Sequence, residues 1–414
     1  MERRVSLQSR LAESPVRRHK PDYWLLILIA TLLGVGLIVL YAIGPALSIE
    51  SNAGQNYYID KQFLAVVLGI IGFAFAANVP LSFCRRAYKP LLLIAAGATL
   101  LALVMPANPE YPAHRWIRLG SFSFQSVELL KFAILVWFSG FLVKRLKRGE
   151  ITRLRPTLVP LLASLLIIGV VVAGIQSDLG SMGVIVVMMA SMAFVSGMPF
   201  KKILIVGLII SFSVVLAISV SPYRRSRLET YLHPTSNCTS SGYQACQALI
   251  AVGSGGVLGL GLGRSVQAYG YLPEAANDSI FAIFAEKFGF IGSSILLVLF
   301  LALFARLKRI AEHVTDDFSR LIVIGVLVWL SVQTLINVGA MIGLLPLKGI
   351  TLPFISYGGT SVVFVMAAMG LVFQISRYTL HQTSALTTEG KQYENRLDRR
   401  RLRGTYHSAA SSRS

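Results

Sequence analysis

The run YWLLILIATLLGVGLIVLYAIG, residues 23–44, indicates a membrane-spanning helix because it holds 22 consecutive residues without a charge. A helix rises about 1.5 Å per residue, so a run of this length crosses the roughly 30 Å hydrocarbon core of a bilayer. Hydrophobic residues make up 54% of the 414 residues and charged residues 14%, which excludes an ordinary soluble domain. Further apolar runs follow at 62–80, 88–106, 125–143, 157–175, 179–197, 203–221, 279–305, 320–343 and 357–376.

These runs are about twice as long as a strand of a membrane β-barrel, and lipid admits only helices or closed barrels as spanning structures. The sequence therefore predicts an all-α, polytopic integral membrane protein with about ten transmembrane helices. A basic amino-terminal segment at 1–22 precedes the ten-helix domain at 23–376, and a basic, disordered tail is predicted at 377–414. Within the domain, a long extracytoplasmic loop at 222–277 separates helices 7 and 8.

Basic residues are distributed unevenly between the two sides of the predicted bundle. The two termini and every second connection carry 29 of the 39 Lys and Arg residues. Positively charged connections tend to stay in the cytoplasm, so both termini are predicted to be cytoplasmic and residues 222–277 to lie outside. The net charge of +20 then forms a belt at the membrane surface, and no nucleic-acid partner is predicted.

Two of the three cysteines, Cys238 and Cys246, lie eight residues apart in the predicted outer loop. An oxidising compartment favours disulfides, so we expect these two cysteines to be bonded to each other. Cys84 lies on a predicted cytoplasmic turn and is expected to remain a thiol.

Acidic residues cluster where the long loop meets the eighth predicted helix. Glu274 and Asp278 flank the start of this helix, and Glu286 follows about 12 Å deeper along it. Aspartate is a preferred helix N-cap, so one interpretation gives Asp278 a capping role only. The other interpretation is functional, because carboxylates at and inside a membrane helix are costly unless they serve a cavity.

A second polar cluster lies around the start of the fourth predicted helix. Glu128 and Lys131 are three residues apart on that helix and are expected to form a structural ion pair. Arg115 and Arg118 precede it at the predicted outer interface, where a guanidinium can clamp a phosphate through two hydrogen bonds.

Charged and small polar residues also mark the places where predicted helices break at Gly or Pro. Asp178 and Lys348 lie at two such breaks, and we assign Asp178, with Glu128, Lys131 and Glu286, to a structural polar core. Ser356 belongs to the small polar run 354–361, which is typical of backbone beside a cavity, although packing explains its glycines equally well.

The run 253–263 is rich in glycine and has two interpretations. Its glycines allow close backbone packing in the first, and its amide groups bind a lipid-linked pyrophosphate in the second.

At these positions the sequence resembles the SEDS family of bacterial shape, elongation, division and sporulation proteins, the FtsW/RodA/SpoVE group, from about residue 23 to 377. Residues 270–273 and 348–353 look more like the division branch of the family than the elongation branch. The blocks that carry the resemblance are 115–117, 125–131, 176–180, 242–247, 253–263, 271–278 and 345–361.

The chain departs from the family pattern at several of these blocks. Ser126 and Ser177 stand where the family usually has proline. Ala276 and Asn277 replace the usual His-Thr before Asp278, and Lys287 replaces the second member of a Glu-Glu pair. The aspartate itself is present.

Members of this family are peptidoglycan glycosyltransferases of the bacterial cytoplasmic membrane that work with a class B penicillin-binding protein. The resemblance implies that this chain polymerises lipid II into β-1,4 glycan strands outside the membrane, at the division septum and beside other divisome proteins. Asp278 is then the expected general base, with Arg115, Arg118 and Lys348 offsetting the pyrophosphate charge and Glu274 and Ser356 contacting substrate. No cofactor is assigned, and the sequence leaves open whether a divalent cation, Mg or Mn, assists at the pyrophosphate.

Two other functions remain open at this stage. A lipid II flippase would use the same polar groups to pass a head group through the bundle. A non-catalytic divisome scaffold would result if the substitutions beside Asp278 disable the site.

Overall fold

Apolar helices occupy every predicted span in the part of the chain that the structure describes. The computed structural model describes residues 20–50, 54–105, 114–119, 122–220, 225, 229, 231–232, 238–239 and 242–379. The predicted basic tail at 377–414 and amino-terminal segment at 1–22 lie almost entirely outside the described residues, and the loop at 222–277 is described in part.

The helices are α1 Tyr23–Glu50, α2 Tyr57–Asn78, α3 Leu81–Val104, α4 Ser126–Lys147, α5 Val159–Ile168, α6 Leu179–Val195, α7 Phe200–Val220, α8 Tyr243–Ser254, α9 Ile280–His313, α10 Asp317–Met341 and α11 Gly359–Ile375. Helix α8 lies inside the long loop, and the others match the predicted spans. Eight of the described segments are long and apolar enough to cross a membrane, with α5 counted together with its flanking turns. The predicted all-α membrane fold is therefore confirmed.

Local structure departs from plain predicted helices just before α4 and at both ends of α5. A two-stranded antiparallel hairpin, β1 Trp116–Leu119 and β2 Phe122–Gln125, precedes α4, with Trp116 opposite Gln125. Helix α5 continues at both ends into π-helical turns, Leu154–Leu158 and Gly169–Ile175. Such wide turns are uncommon and often occur at functional sites.

Close packing of α2 against α11 forms one wall of the bundle. A Cβ atom built on Gly370 of α11 would lie 2.4 Å from the carbonyl oxygen of Phe73 on α2. Only glycine permits this approach, and small residues at helix interfaces are typical of membrane proteins because they let backbones meet.

A break inside α9 explains the glycine-rich run. Gly289 has φ 64° and ψ −164°, which no continuous helix contains. The run 256–261 fills the break: the amides of Leu260 and Gly261 donate to the carbonyls of Glu286 and Lys287 at 2.9 and 3.0 Å. Because these amides satisfy the broken helix, the run has a packing role, and the pyrophosphate-binding interpretation is wrong for them.

Ion pairs connect the helix ends farthest from the long loop. Asp22, just before α1, pairs with Arg306 of α9 at 2.5 Å, and its amide donates to Ser376 after α11 at 3.0 Å. Arg85 of α3 pairs with Asp316, which begins α10, also at 2.5 Å. We call this the clasp end of the bundle and the opposite end, with the long loop, the loop end.

Candidate functional site

A cavity of about 1200 Å³ lies at the loop end of the bundle. Its polar part contains Arg115, Glu274, Asp278 and Lys348, so four of the six predicted catalytic and substrate-binding residues line one space. Its apolar part is formed mainly by α2, α11 and the hairpin, and includes Leu64, Leu68, Ile71, Phe75, Trp116, Phe124, Val363 and Phe364. A ligand bound here would meet charged groups and an apolar wall together.

The segment that carries Asp278 is held in place by main-chain and side-chain bonds. The amides of Asn277 and Ser279 donate to the carbonyl of Glu274 at 2.9 and 3.2 Å. The Ser279 hydroxyl donates to Pro273 O at 2.9 Å, and the amide of Tyr357 donates to Ala276 O at 2.8 Å. The loop that presents Asp278 is therefore fixed before any substrate binds.

The position of Asp278 argues against the interpretation that this residue only caps a helix. The N-cap of α9 is Ser279, and the helix begins at Ile280. Asp278 instead lines the cavity with 9% of its surface exposed.

Asn337 of α10 joins the Asp278 segment to the loop that carries Lys348. Its side-chain amide donates to the carbonyls of both Asp278 and Ile350 at 2.7 Å. Sequence reasoning missed Asn337, although Gln333 and Asn337, four residues apart in an apolar helix, form a polar face that could have indicated it.

Arg115 is held on the cavity lining by bonds to the α5–α6 connection. Its Nε and Nη2 atoms donate to the carbonyls of Gln176 and Ser177 at 2.9 and 2.6 Å. Its Nη1 atom and Asp278 Oδ2 both lie within 4 Å of the Cβ position built on Gly349. The guanidinium group of Arg115 and the carboxylate of Asp278 therefore both border Gly349 on the cavity lining.

Unusual backbone conformations concentrate around the cavity. Ser177 and Glu274 have positive φ angles of 53° and 54°, and both line it. Each such non-glycine residue costs on the order of 1–3 kcal/mol, and strain of this kind tends to occur at active sites and ligand clamps.

Tyr357 also lines the cavity, but it is a poor candidate for a base. Burial, aided by the neighbouring Tyr57 and Tyr58, raises the pKa of Tyr357 to about 12. Its phenol therefore remains protonated at neutral pH.

The predicted ion pair forms in the interior of the bundle and connects to the cavity floor. Lys131 Nζ lies 2.8 Å from Glu128 Oε1 and donates to Gln333 Oε1 at 3.1 Å. Gln333 in turn donates to Thr351 O at 2.9 Å, and Thr351 lines the cavity. The pair thus has a structural role, because Lys131 orients Gln333, and Gln333 supports the loop that carries Lys348.

The other predicted polar-core residues, Asp178 and Glu286, are not among the described residues that line the cavity. Asp178 caps α6, accepting from the amide and hydroxyl of Ser181 at 3.0 and 2.9 Å. Glu286 is buried and accepts from the amides of Val266 and Gln267 at 2.9 and 3.1 Å.

Two predicted substrate-binding residues lie elsewhere. Ser356 is buried and its hydroxyl accepts from the amide of Leu352 at 2.7 Å, so it fixes a turn and does not face the cavity. Arg118 is exposed on β1 and is not among the described residues that line the cavity. Conversely, Lys61 of α2 does line it and was not predicted.

Within the described residues, no group of three or more His, Cys, Asp or Glu side chains is arranged to hold a metal ion. In the part of the chain that the structure describes, the acidic side chains that line the cavity are Glu274 and Asp278. Two carboxylates alone form an incomplete site for Mg or Mn, which need about six oxygen ligands.

Known proteins resemble this chain over nearly its whole length. The chain is 36% identical to the probable peptidoglycan glycosyltransferase FtsW of Saccharophagus degradans, covering 90% of this chain and 96% of the relative. It is 35% identical to the stage V sporulation protein E of Bacillus subtilis, covering 88% and 99%.

Solved structures share the fold. A chain from a peptidoglycan synthase complex that coordinates polymerisation and crosslinking matches with a TM-score of 0.70 and 26% identity, covering 86% of this chain and 98% of that one. An Asp-to-Ala variant of the rod shape determining protein RodA of Thermus thermophilus matches with a TM-score of 0.64 and 25% identity, covering 87% and 99%. The FtsW/RodA/SpoVE family model, described as a cell cycle protein, matches residues 23–381, and the chain belongs to this family.

Proposed function

We propose that this protein is a peptidoglycan glycosyltransferase that polymerises lipid II into β-1,4 glycan strands. The observation that carries the proposal is the cavity in which Asp278, Arg115 and Lys348 lie next to an apolar wall. A lipid-linked sugar pyrophosphate needs both surfaces, because its head group is anionic and its polyprenyl chain is apolar. The relatives named peptidoglycan glycosyltransferases support the same activity.

Asp278 acts as the general base in the proposed reaction. The 4-hydroxyl oxygen of the acceptor sugar attacks the anomeric carbon of the donor, and its proton passes to the Asp278 carboxylate. The bond between that carbon and the pyrophosphate oxygen breaks, and its electron pair leaves with the polyprenyl pyrophosphate. One displacement inverts the anomeric centre, so an α-linked donor gives a β-linked strand.

Arg115 and Lys348 stabilise the charge that develops on the leaving pyrophosphate. Arg115 already donates two hydrogen bonds to main-chain carbonyls, so it is preorganised and need not reorient during the reaction. A divalent cation, Mg or Mn, would be held mainly by the pyrophosphate with Asp278 or Glu274, and no step depends on it.

The reaction takes place on the outer side of the cytoplasmic membrane, with both termini in the cytoplasm. The asymmetry of Lys and Arg residues supports this orientation. Reporter fusions after Glu150 or Asp316 should give a cytoplasmic signal, and a fusion near residue 236 an external one. A cytoplasmic signal near residue 236 would overturn the orientation.

A class B penicillin-binding protein is the proposed partner, and the division septum the proposed location. The structural match to a synthase complex that couples polymerisation with crosslinking supports a transpeptidase partner. The resemblance of residues 270–273 and 348–353 to the division branch supports a place among the divisome proteins.

Purified protein reconstituted with lipid II and its partner tests the function. Glycan strands that muramidase digests are the expected product. Translocation of lipid II without strands would identify a flippase, and neither activity would identify a scaffold.

A further inference from the structure

Lys61 introduces a third positive charge to the cavity, on a different element from Arg115 and Lys348. It lies in the second turn of α2, and Leu64, Leu68, Ile71 and Phe75 follow it along the cavity wall at helical spacing. From Lys61 to Phe75 the helix rises about 21 Å, which is more than half of the roughly 30 Å hydrocarbon layer. A cation therefore stands at the head of an apolar strip long enough to cross one leaflet of about 15 Å.

The position of Lys61 is fixed by its neighbours. Its Nζ atom donates to the Tyr57 hydroxyl at 2.5 Å and lies 4.2 Å from the centre of the Tyr57 ring. The next residue, Gln62, donates to Ser356 O at 3.3 Å and accepts from the amide of Gly358 at 3.4 Å. The start of α2 is thus attached to the loop that precedes α11.

The same loop is attached to the segment that carries the proposed base. The Tyr58 and Tyr357 rings meet edge to face with their centres 5.3 Å apart, and the amide of Tyr357 donates to Ala276 O at 2.8 Å. Lys61 and Asp278 therefore belong to one connected frame.

The proposed reaction requires two anionic lipids at once. The donor loses its pyrophosphate at the reacting carbon, beside Asp278 and Arg115. The acceptor brings its 4-hydroxyl to Asp278, but it retains its own pyrophosphate at the other end of its disaccharide. A second phosphate-binding group is needed there, because the residues that bind the donor pyrophosphate cannot bind the acceptor pyrophosphate as well.

Resting on the proposed function, we infer that Lys61 and the strip Leu64, Leu68, Ile71 and Phe75 form the acceptor subsite. Lys61 binds the pyrophosphate of the acceptor lipid, and the strip holds the first part of its polyprenyl chain. The cavity then has two polyprenyl-pyrophosphate subsites, one at Arg115 and Lys348 and one at Lys61.

Binding stoichiometry of undecaprenyl pyrophosphate, measured on the purified full-length protein by native mass spectrometry, tests the inference without requiring polymerisation. We expect two bound molecules for the wild type, one for Lys61→Met, one for Arg115→Gln and none for the double variant. Lys308→Met, which changes an exposed lysine at the clasp end, is the matched control and should bind two. One molecule on the wild type, or two on Lys61→Met, would overturn the inference.

Kinetics supply a second readout. Loss of one charge-assisted contact should raise the KM for lipid II about tenfold in Lys61→Met with little change in kcat. Lys61→Arg keeps the positive charge and should restore most of the affinity for lipid II that Lys61→Met loses. A lysine with only a structural role would not show this dependence on charge. An unchanged KM in Lys61→Met would contradict the acceptor role even if the wild type polymerises normally. A wild type that binds two lipids without polymerising them would refute only the proposed function.

Discussion

The side-chain amide of Asn337 donates a hydrogen bond of 2.7 Å to the main-chain carbonyl of Asp278. The same nitrogen donates to Ile350 O, also at 2.7 Å, and Asn337 is 2% exposed. One buried amide on α10 therefore sets the spacing between the proposed base and the loop of Lys348. We call it a positioning residue, since it reaches the cavity through other groups.

Asn337→Leu should keep the volume and remove the donor. Two buried carbonyls lose their partner, which costs about 1–3 kcal/mol each, and displacement of Asp278 by an ångström can cost about 10²-fold in rate. We expect kcat to fall at least about tenfold while the protein still inserts and binds lipid. Initial polymerisation rates and detergent melting temperatures measure the two effects.

Thr334→Val, one turn earlier on α10, is the matched control for Asn337→Leu. The Thr334 hydroxyl is buried without a hydrogen-bond partner, so its removal should change little. Equal losses in both variants would assign Asn337 a general packing role.

Asp278→Asn should abolish most of the activity while it preserves the site. The change keeps the size of the side chain and removes the basic carboxylate, so polymerisation should fall about 10²–10⁴-fold with lipid binding intact. Glu274→Gln, at the neighbouring carboxylate of the cavity, should have a smaller effect. Near-normal strand synthesis by Asp278→Asn would remove the proposed mechanism.

The spans and the polar residues at the loop end could be predicted because they depend on local features. An uncharged run of about 20 residues has to be a membrane helix whatever surrounds it. Arg115, Glu274, Asp278 and Lys348 were visible as charges at the ends of such runs, where burial is costly.

The connections between segments could not be predicted in the same way. Asn337 acts through partners distant in sequence, and a single sequence does not show which carbonyl an amide meets. Lys61 was missed because the cavity that it lines is assembled from segments far apart in the chain. Ser356 was predicted wrongly for the same reason: a small polar residue beside a cavity can face the cavity or fix the turn behind it. The break at Gly289 likewise depends on the glycine run that fills it.

Gly289→Ala should destabilise the protein through the break in α9. A Cβ atom there would lie 2.3 Å from Gly259 N, and the φ of 64° is unfavourable for alanine. We expect a loss of at least about 2 kcal/mol, measured as a lower melting temperature. Gly263→Ala, with nothing within 4 Å of its Cβ position, should be close to neutral, and equal effects would contradict the packing role of the run.

Asp316 should make the clasp end sensitive to acid. Burial alone would raise the pKa of Asp316, but hydrogen bonds from Ser319 and the Arg85 guanidinium outweigh it and hold the pKa below its ordinary 3.8. A carboxyl with a lowered folded pKa stabilises the protein above its unfolded pKa, and this contribution is lost as pH falls through the folded value.

Asp316→Asn should therefore lower the melting temperature at pH 7, and the difference from wild type should shrink as the pH falls below 3.8 and vanish once the pH lies below the folded pKa of Asp316. Asparagine caps helices about as well as aspartate, so the difference reports chiefly the charge beside Arg85. Arg85→Gln should reproduce the loss. A difference that persists undiminished in acid would refute the electrostatic origin.

The disulfide between Cys238 and Cys246 should support the site through α8. The two Cα atoms are 5.6 Å apart, and Cys246 is buried on α8. Gln244 on the same helix donates to Ser279 Oγ at 3.2 Å, next to Asp278.

Replacing both cysteines with serine should cost about 2–3 kcal/mol of stability and lower the polymerisation rate, because the start of α8 is released. Cys84→Ser is the control, since this cysteine is a buried free thiol that is not among the residues lining the cavity. Thiol reagents applied without reduction should modify neither Cys238 nor Cys246, and labelling of both in the untreated protein would exclude the bond.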